Sequence, residues 1–225
     1  MKNIELIESK EIKDKLKEFD NYGGRIDINI FKIDKSISKY DSHLLTAKNS
    51  IIELQKNSHH FKINFNENKM NKSGMKISAE EFFGPWFDFK SMKPILRGFK
   101  YLNNSFYFDS KEKSENIVDI RDSELFKNDK SDLYTIGFAQ AFLDPVHGFR
   151  VSNSIFETGK YFIDFCDFLF SDLNEMEVLK WNTDCSNYFD DGKEGWGTHF
   201  WTVYNPAKDY YLSLIHISEP TRLRR

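Results

Sequence analysis

The sequence has no apolar run long enough to span a bilayer and no excess of basic charge. It has only two cysteines and carries none of the strong catalytic signatures. Each absence closes a class. The opening MKNIELIESKEIKDK alternates charge with single apolar residues, so neither a secretory signal nor a membrane anchor is expected. A formal net charge of −3 leaves no basic footprint for nucleic acid. Cys166 and Cys185 cannot form a disulfide framework or a four-ligand zinc site, and they read as reduced core thiols. Walker A, G-x-G-x-x-G, H-E-x-x-H, G-x-S-x-G and paired C-x-x-C patterns are missing. No cofactor and no metal is therefore expected, and the familiar enzyme classes lose ground.

What is present is aromatic. The 225 residues include 22 Phe and 10 Tyr, with aromatics at 16% of the chain. So many bulky apolar groups can offset the entropy of ordering, which argues for a folded protein. The length suits one sizeable core, or a large domain with a smaller N-terminal piece. The richness in Lys, Asn, Ile and Phe has the look of an AT-rich bacterial genome, and a soluble cytoplasmic protein is the expectation.

Along the chain, Glu5 to Phe19 has helical spacing of Leu6, Ile12, Leu16 and Phe19. Residues Arg25 to Ile33 alternate as a strand, with Ile26, Ile28 and Ile30 on one face. A second helix, capped by Asp41 or Ser42, runs to about Lys56. His59 to Phe65 reads as a strand, and the polar stretch Asn64 to Gly74 as a loop or boundary. Residues 1–66 are thus set apart as an N-terminal helix/strand subdomain from a main α+β domain at 75–211. In the latter, Glu80 to Lys90 crowds four Phe and a Trp around a Gly-Pro turn, which is a core plug unless it is exposed as a binding patch. Ser91 to Leu102 reads as a short helix. Leu133 to Leu143 has one large and one small face and reads as a central strand.

The clearest helix lies at about Asn153 to Ser171, polar only along the stripe Glu157, Lys160, Asp164, Asp167 and Ser171. Two strand candidates follow, Glu177 to Thr183 and Thr198 to Tyr204, and a further strand starts at Tyr210. The pattern is α+β: a mostly antiparallel sheet with the long apolar helix packed on it, helices mainly on one side, and a C-terminal hairpin.

The long segment Asp184 to Gly197 is the best place for function, because long connections in compact domains tend to be functional or disordered. One reading is chemical. Asp184, Asp190, Asp191 and His199 could hold a divalent metal or perform acid–base work in a hydrolase-like enzyme. Against it, Asp190 and Asp191 sit in Asp-Asp-Gly, where turn chemistry already explains them. A strand histidine beside Trp201 is more often a hydrogen-bonded core residue. His59, His60 and His147 are weaker candidates, and Cys185 has no basic neighbour in sequence to activate it.

The preferred reading is binding. Tyr188, Phe189, Asp190, Asp191, Glu194 and Trp196 interleave aromatic anchors with acids, as a surface for a basic protein partner needs. In texture the chain resembles small acidic bacterial immunity proteins, which neutralise toxins, although no motif carries that likeness. A third reading is a structural loop that only closes the sheet.

The tail differs from everything before it. Leu212 to Arg222 (LSLIHISEPTR) resembles, without interruption, the in-frame translation of a transposase-type sequencing-library adapter. On that resemblance residues 212–225 are non-native, the hairpin is truncated after Tyr211 with its edge unpaired, and His216 leaves any list of ligands. Without Arg222, Arg224, Arg225 and Glu219 the chain has 29 basic and 34 acidic residues. An unmodified genomic read through the locus is expected to diverge after Tyr211. Native codons continuing as Ser-Leu-Ile-His would overturn this.

Overall fold

Strand alternation and serine caps set out most of the architecture. The computed structural model describes residues 3–58, 62–70, 74–96, 101–102, 105–106, 117–119, 137–145, 148–152, 155–193 and 197–217. The chain opens with strand β1 (Ile4–Leu6) and helix α1 (Lys10–Asn21), followed by β2 (Ile26–Ile33) and α2 (Lys39–Asn57). A short α3 (Glu67–Met70), β3 (Met75–Ile77) and α4 (Ala79–Phe83) come next. Helices α1, α2 and α4 each start at a serine (Ser9, Ser38 and Ser78), whose Oγ accepts the backbone N–H three residues on. That hydrogen bond satisfies a donor the first turn would otherwise leave open. The second helix therefore begins earlier than Asp41 or Ser42, and Asp41 instead lies in its first turn, near the positive end of the helix dipole.

Small strands β4 (Phe87–Asp88), β5 (Lys93–Leu96), β6 (Tyr101–Leu102), β7 (Ser105–Phe106) and β8 (Val118–Asp119) follow. The expected helix at Ser91 to Leu102 is thus corrected, since Lys93–Leu96 and Tyr101–Leu102 are strands, while residues 97–100 lie outside the described residues. Then come α5 (Phe138–Leu143), α6 (Ile155–Phe170), β9 (Glu177–Lys180), a helical turn α7 (Asp190–Lys193), β10 (Thr198–Asn205) and β11 (Tyr210–Ile217).

The fold is α+β, around a six-stranded antiparallel sheet ordered β1-β2-β11-β10-β9-β3. Residues 1–66 do not form a sheet of their own, since β1 and β2 hydrogen-bond into the same sheet as β9, β10 and β11. The expected strand at 59–65 is, over its described part, a single bridge from Phe65 to Ser186.

Both faces of the sheet are covered, which corrects the one-sided expectation. One face carries Ile26, Ile28, Ile30, Val178, Trp201, Val203, Leu212 and Leu214. Against it pack α4, α5, α6 and the C-terminal end of α1, through Phe19, Phe82, Phe83, Phe138, Phe142, Phe162 and Phe165. Most of these rings meet tilted or edge to face, as at Phe142–Phe162 (5.0 Å, 83°) and Phe82–Trp201 (5.4 Å, 90°), while Phe82 and Phe138 stack (5.0 Å, 15°). The plug at Glu80 to Lys90 is part of this core, with Phe82, Phe83, Trp86 and Phe87 all buried.

Residues 138–143 are helical rather than the end of a central strand; Leu133 to Ile136 lie outside the described residues. Alternation of large and small residues fitted a period of two. Phe138 and Phe142 are also four apart, however, and on a helix they share a face, with their rings 5.9 Å apart.

The opposite face is lined by α2, and this interface is partly polar. Ser42, His43, Thr46, Ala47, Ser50 and Ile51 are buried against the sheet. Trp181 Nε1 donates to Thr202 Oγ1 (2.8 Å), and His43 Nδ1 lies 2.8 Å from the same hydroxyl. The Thr202 hydroxyl thus links the Trp181 indole to the imidazole of α2, using its capacity both to accept and to donate.

Strand β11 sits between β2 and β10 and pairs with both along Tyr211 to His216. The hairpin is therefore not left with an open edge after Tyr211. Leu212, Ser213, Leu214 and Ile215 are fully buried. Backbone pairing tolerates many sequences, so filling this slot is compatible with the tail's likeness to an adapter translation. A chain stopped after Tyr211 opens two interior edges and removes three core side chains. It is expected to lose its cooperative urea transition, whereas a chain stopped after Ile217 keeps it. Equal urea midpoints for the two would refute this placement of β11.

Candidate functional site

The connection from β9 to β10 is mostly helical. Asn182 Oδ1 accepts from the backbone N–H of Asp184 (2.6 Å), and Ser186 Oγ from that of Tyr188 (3.1 Å). These side chains start two single turns of 3-10 helix, Thr183–Cys185 and Asn187–Phe189, which lead directly into α7. Asn and Ser favour such turns because their short side chains can reach nearby backbone donors. Cys185 and Phe189 drop into the core on the α2 side, where Phe189 stacks on Phe200 at 5.8 Å. Phe189 is thus a packing residue, which corrects its expected place on a binding surface.

Tyr188 is half-buried, and its hydroxyl donates to Asp27 Oδ2 (2.8 Å). Asp184 and Asp190 are exposed. Asp191 lies on α7 with its side chain outside the description, and Glu194, Trp196, His59, His60 and His147 lie outside the described residues.

His199 is on the other face of the sheet. Its ring stacks on Trp201 (4.8 Å, 10°) and lies 6.5 Å from that of His216, its direct cross-strand partner. Nδ1 is buried without a hydrogen-bond partner. Burial, then the neighbouring His216 and Lys180, push its pKa down to about 3. The helical loop packs against the α2 side through Cys185 and Phe189 while His199 points away from it, so Asp184 and Asp190 are not gathered around His199. Among the described residues, no group of three or more His, Cys, Asp and Glu is placed to hold a metal ion.

What the structure does bring together is an acidic notch of about 150 Å³ at the sheet edge. Its floor is β2 from Ile26 to Asn29; one wall is α1 (Leu16, Phe19, Asp20), and the other is the end of α2 (Glu53, Leu54, Asn57). Three carboxylates, Asp20, Asp27 and Glu53, belong to the lining, and among the described residues no lysine or arginine does. Asp27 holds Tyr188, and Glu53 accepts from Lys56 on the exposed side of α2 (2.7 Å).

The notch exists because β1 is short. Its pairing ends at Leu6 opposite Phe31, the Ile7 N–H donates to the Ile30 carbonyl, and the chain then leaves for α1. The chain matches no protein-family model, no curated protein and no solved structure. Sequence reasoning missed the notch, and its one signal was Asp27 and Asn29 set among isoleucines on a strand.

Burial lowers the pKa of three imidazoles, His43, His199 and His216, and the shifts of the first two give this fold an acid limit. Burial pushes His43 down to about 4, with lesser contributions from neighbouring charges, and His199 is held lower still. In the unfolded chain both would titrate near the ordinary 6.5. Below that pH the unfolded state binds protons that the folded state refuses, so stability is complete above pH 6.5 and falls as the pH drops toward 4. For His43 the loss is on the order of 3 kcal/mol. Urea midpoints are expected to fall between pH 7 and pH 4.5, and less steeply in His199→Phe, which removes a titrating ring and an unsatisfied nitrogen. A flat profile in the unsubstituted chain would contradict the buried neutral imidazoles.

Proposed function

We propose that this chain is a non-catalytic module that binds a basic protein partner, of the kind a bacterial cytoplasmic immunity protein provides. The observation that carries the reading is the Tyr188–Asp27 hydrogen bond, which ties the acidic loop to the acidic notch. It links Tyr188, on the same loop as the exposed Asp184 and Asp190, to Asp27, which lines the notch together with Asp20 and Glu53. Acids grouped around a half-buried aromatic suit a basic partner: the charges steer the encounter and the ring supplies desolvated area. No helix among the described residues is long and apolar enough to cross a membrane.

The test is co-purification with the product of an adjacent gene, at low and high salt. A basic, toxin-like neighbour is expected to bind in a salt-sensitive manner. Asp190→Lys is expected to weaken the complex about tenfold or more while leaving the urea midpoint unchanged. Stoichiometric zinc or manganese on the purified chain, lost in His199→Ala, would instead revive the hydrolase reading.

A further inference from the structure

Among the described residues, no strand covers the outer backbone edge of β2 in the notch. Ile30 turns its carbonyl outward to Ile7. The register of β2 against β11 runs without a bulge from Phe31 to Ile26. Strand groups alternate in direction, so Ile28 and Ile26 turn their N–H and C=O to the same outward side as Ile30. The only strands beside β2 among the described residues are β1, which stops opposite Phe31, and β11 on the inner side. Ile28 thus presents a backbone donor and acceptor in the lane that β1 vacates. Folded proteins usually cover or blunt such an edge. Here it is flanked by two helix ends and left as a groove.

We propose that this groove takes an extended segment of the basic partner as an added antiparallel strand on β2, in line with β1. This rests on the binding reading above. The dimensions favour a strand: a cavity of about 150 Å³ holds only a short piece of extended chain, whereas a helix is about 10 Å across. The two walls specify the side chains. An added residue opposite Ile28 shares its face, toward Leu16 and Phe19, and is apolar. Its neighbours point to the other face, toward Asp27 and Glu53, and are lysine or arginine. Asp20, exposed at the rim, adds a third negative charge. The recognised pattern is therefore basic–apolar–basic in extended chain, with main-chain bonds giving affinity and the alternating side chains giving specificity.

The probe is a capped hexapeptide alternating lysine and valine, added to the full 225-residue chain. It is compared with a twin N-methylated at each valine and with a version bearing glutamate in place of lysine. In antiparallel addition the valine N–H groups face β2, so the methylated twin keeps the charge and loses the ladder. Exchange of the Ile28 amide is expected to slow on binding. The methylated twin is expected to bind about tenfold more weakly, and the glutamate peptide not at all. Asp20→Asn with Glu53→Gln, both at or near the surface, is expected to weaken binding about fivefold without moving the urea midpoint.

Equal binding of the twin, an unchanged Ile28 amide, or no binding of the lysine peptide would overturn strand addition. The two readings fail separately. A partner held through Asp190 with Ile28 untouched removes only the added strand. A peptide that slows Ile28 while no basic partner binds removes only the immunity-like role.

Discussion

The rest of the structure depends on the burial of β11 between β2 and β10. It is the one strand whose neighbours come from opposite ends of the chain: β2 from the first 33 residues, β10 from the last 30. Leu212 and Leu214 project into the aromatic layer and Ile215 into the layer under α2. A slip of one residue would exchange these faces and put Ser213 among the phenylalanines. Register, layer composition and closure of the sheet are therefore a single constraint.

The two layers solve the packing problem differently. On the α6 side, rings fill space and gain from edge-to-face contacts, so losing one is costly: truncating Phe162, fully buried among four other aromatic rings, removes about 3–5 kcal/mol by the usual cavity penalty. On the α2 side, Ser42, Thr46, Ala47 and Ser50 let the helix lie close to the strands. Thr46 and Ser50 satisfy their hydroxyls on carbonyls of their own helix (2.9 and 2.8 Å). Thr202 serves both Trp181 and His43. His43 Nε2 and Ser213 Oγ remain unsatisfied, a cost borne inside this layer.

The edge of the sheet is where stability and recognition part. Had β1 continued past Leu6, Ile28 would be bonded and the notch filled. Instead the chain turns into α1, and the acids of α1, β2 and α2 converge on the gap. The acids that line this gap also discourage pairing between copies of the molecule, since like charges oppose each other across the contact.

The sequence by itself determined the α+β class, the long apolar helix, the aromatic plug at Glu80 to Lys90, and the two faces of β10, with Trp201 and Val203 opposite Phe200 and Thr202. Each follows from periodicity, which is local. It also singled out Tyr188, whose hydroxyl the structure bonds to Asp27. Only the tertiary structure decided that Phe138 to Leu143 is helical, because periods of two and of 3.6 share the pair Phe138 and Phe142. Only it separated His199 from the acidic loop, since which face a loop folds over depends on long-range packing by Cys185 and Phe189. And only it joined Asp20, Asp27, Glu53 and Tyr188, because residues up to 168 positions apart meet through strand order, and strand order is not written in any local pattern.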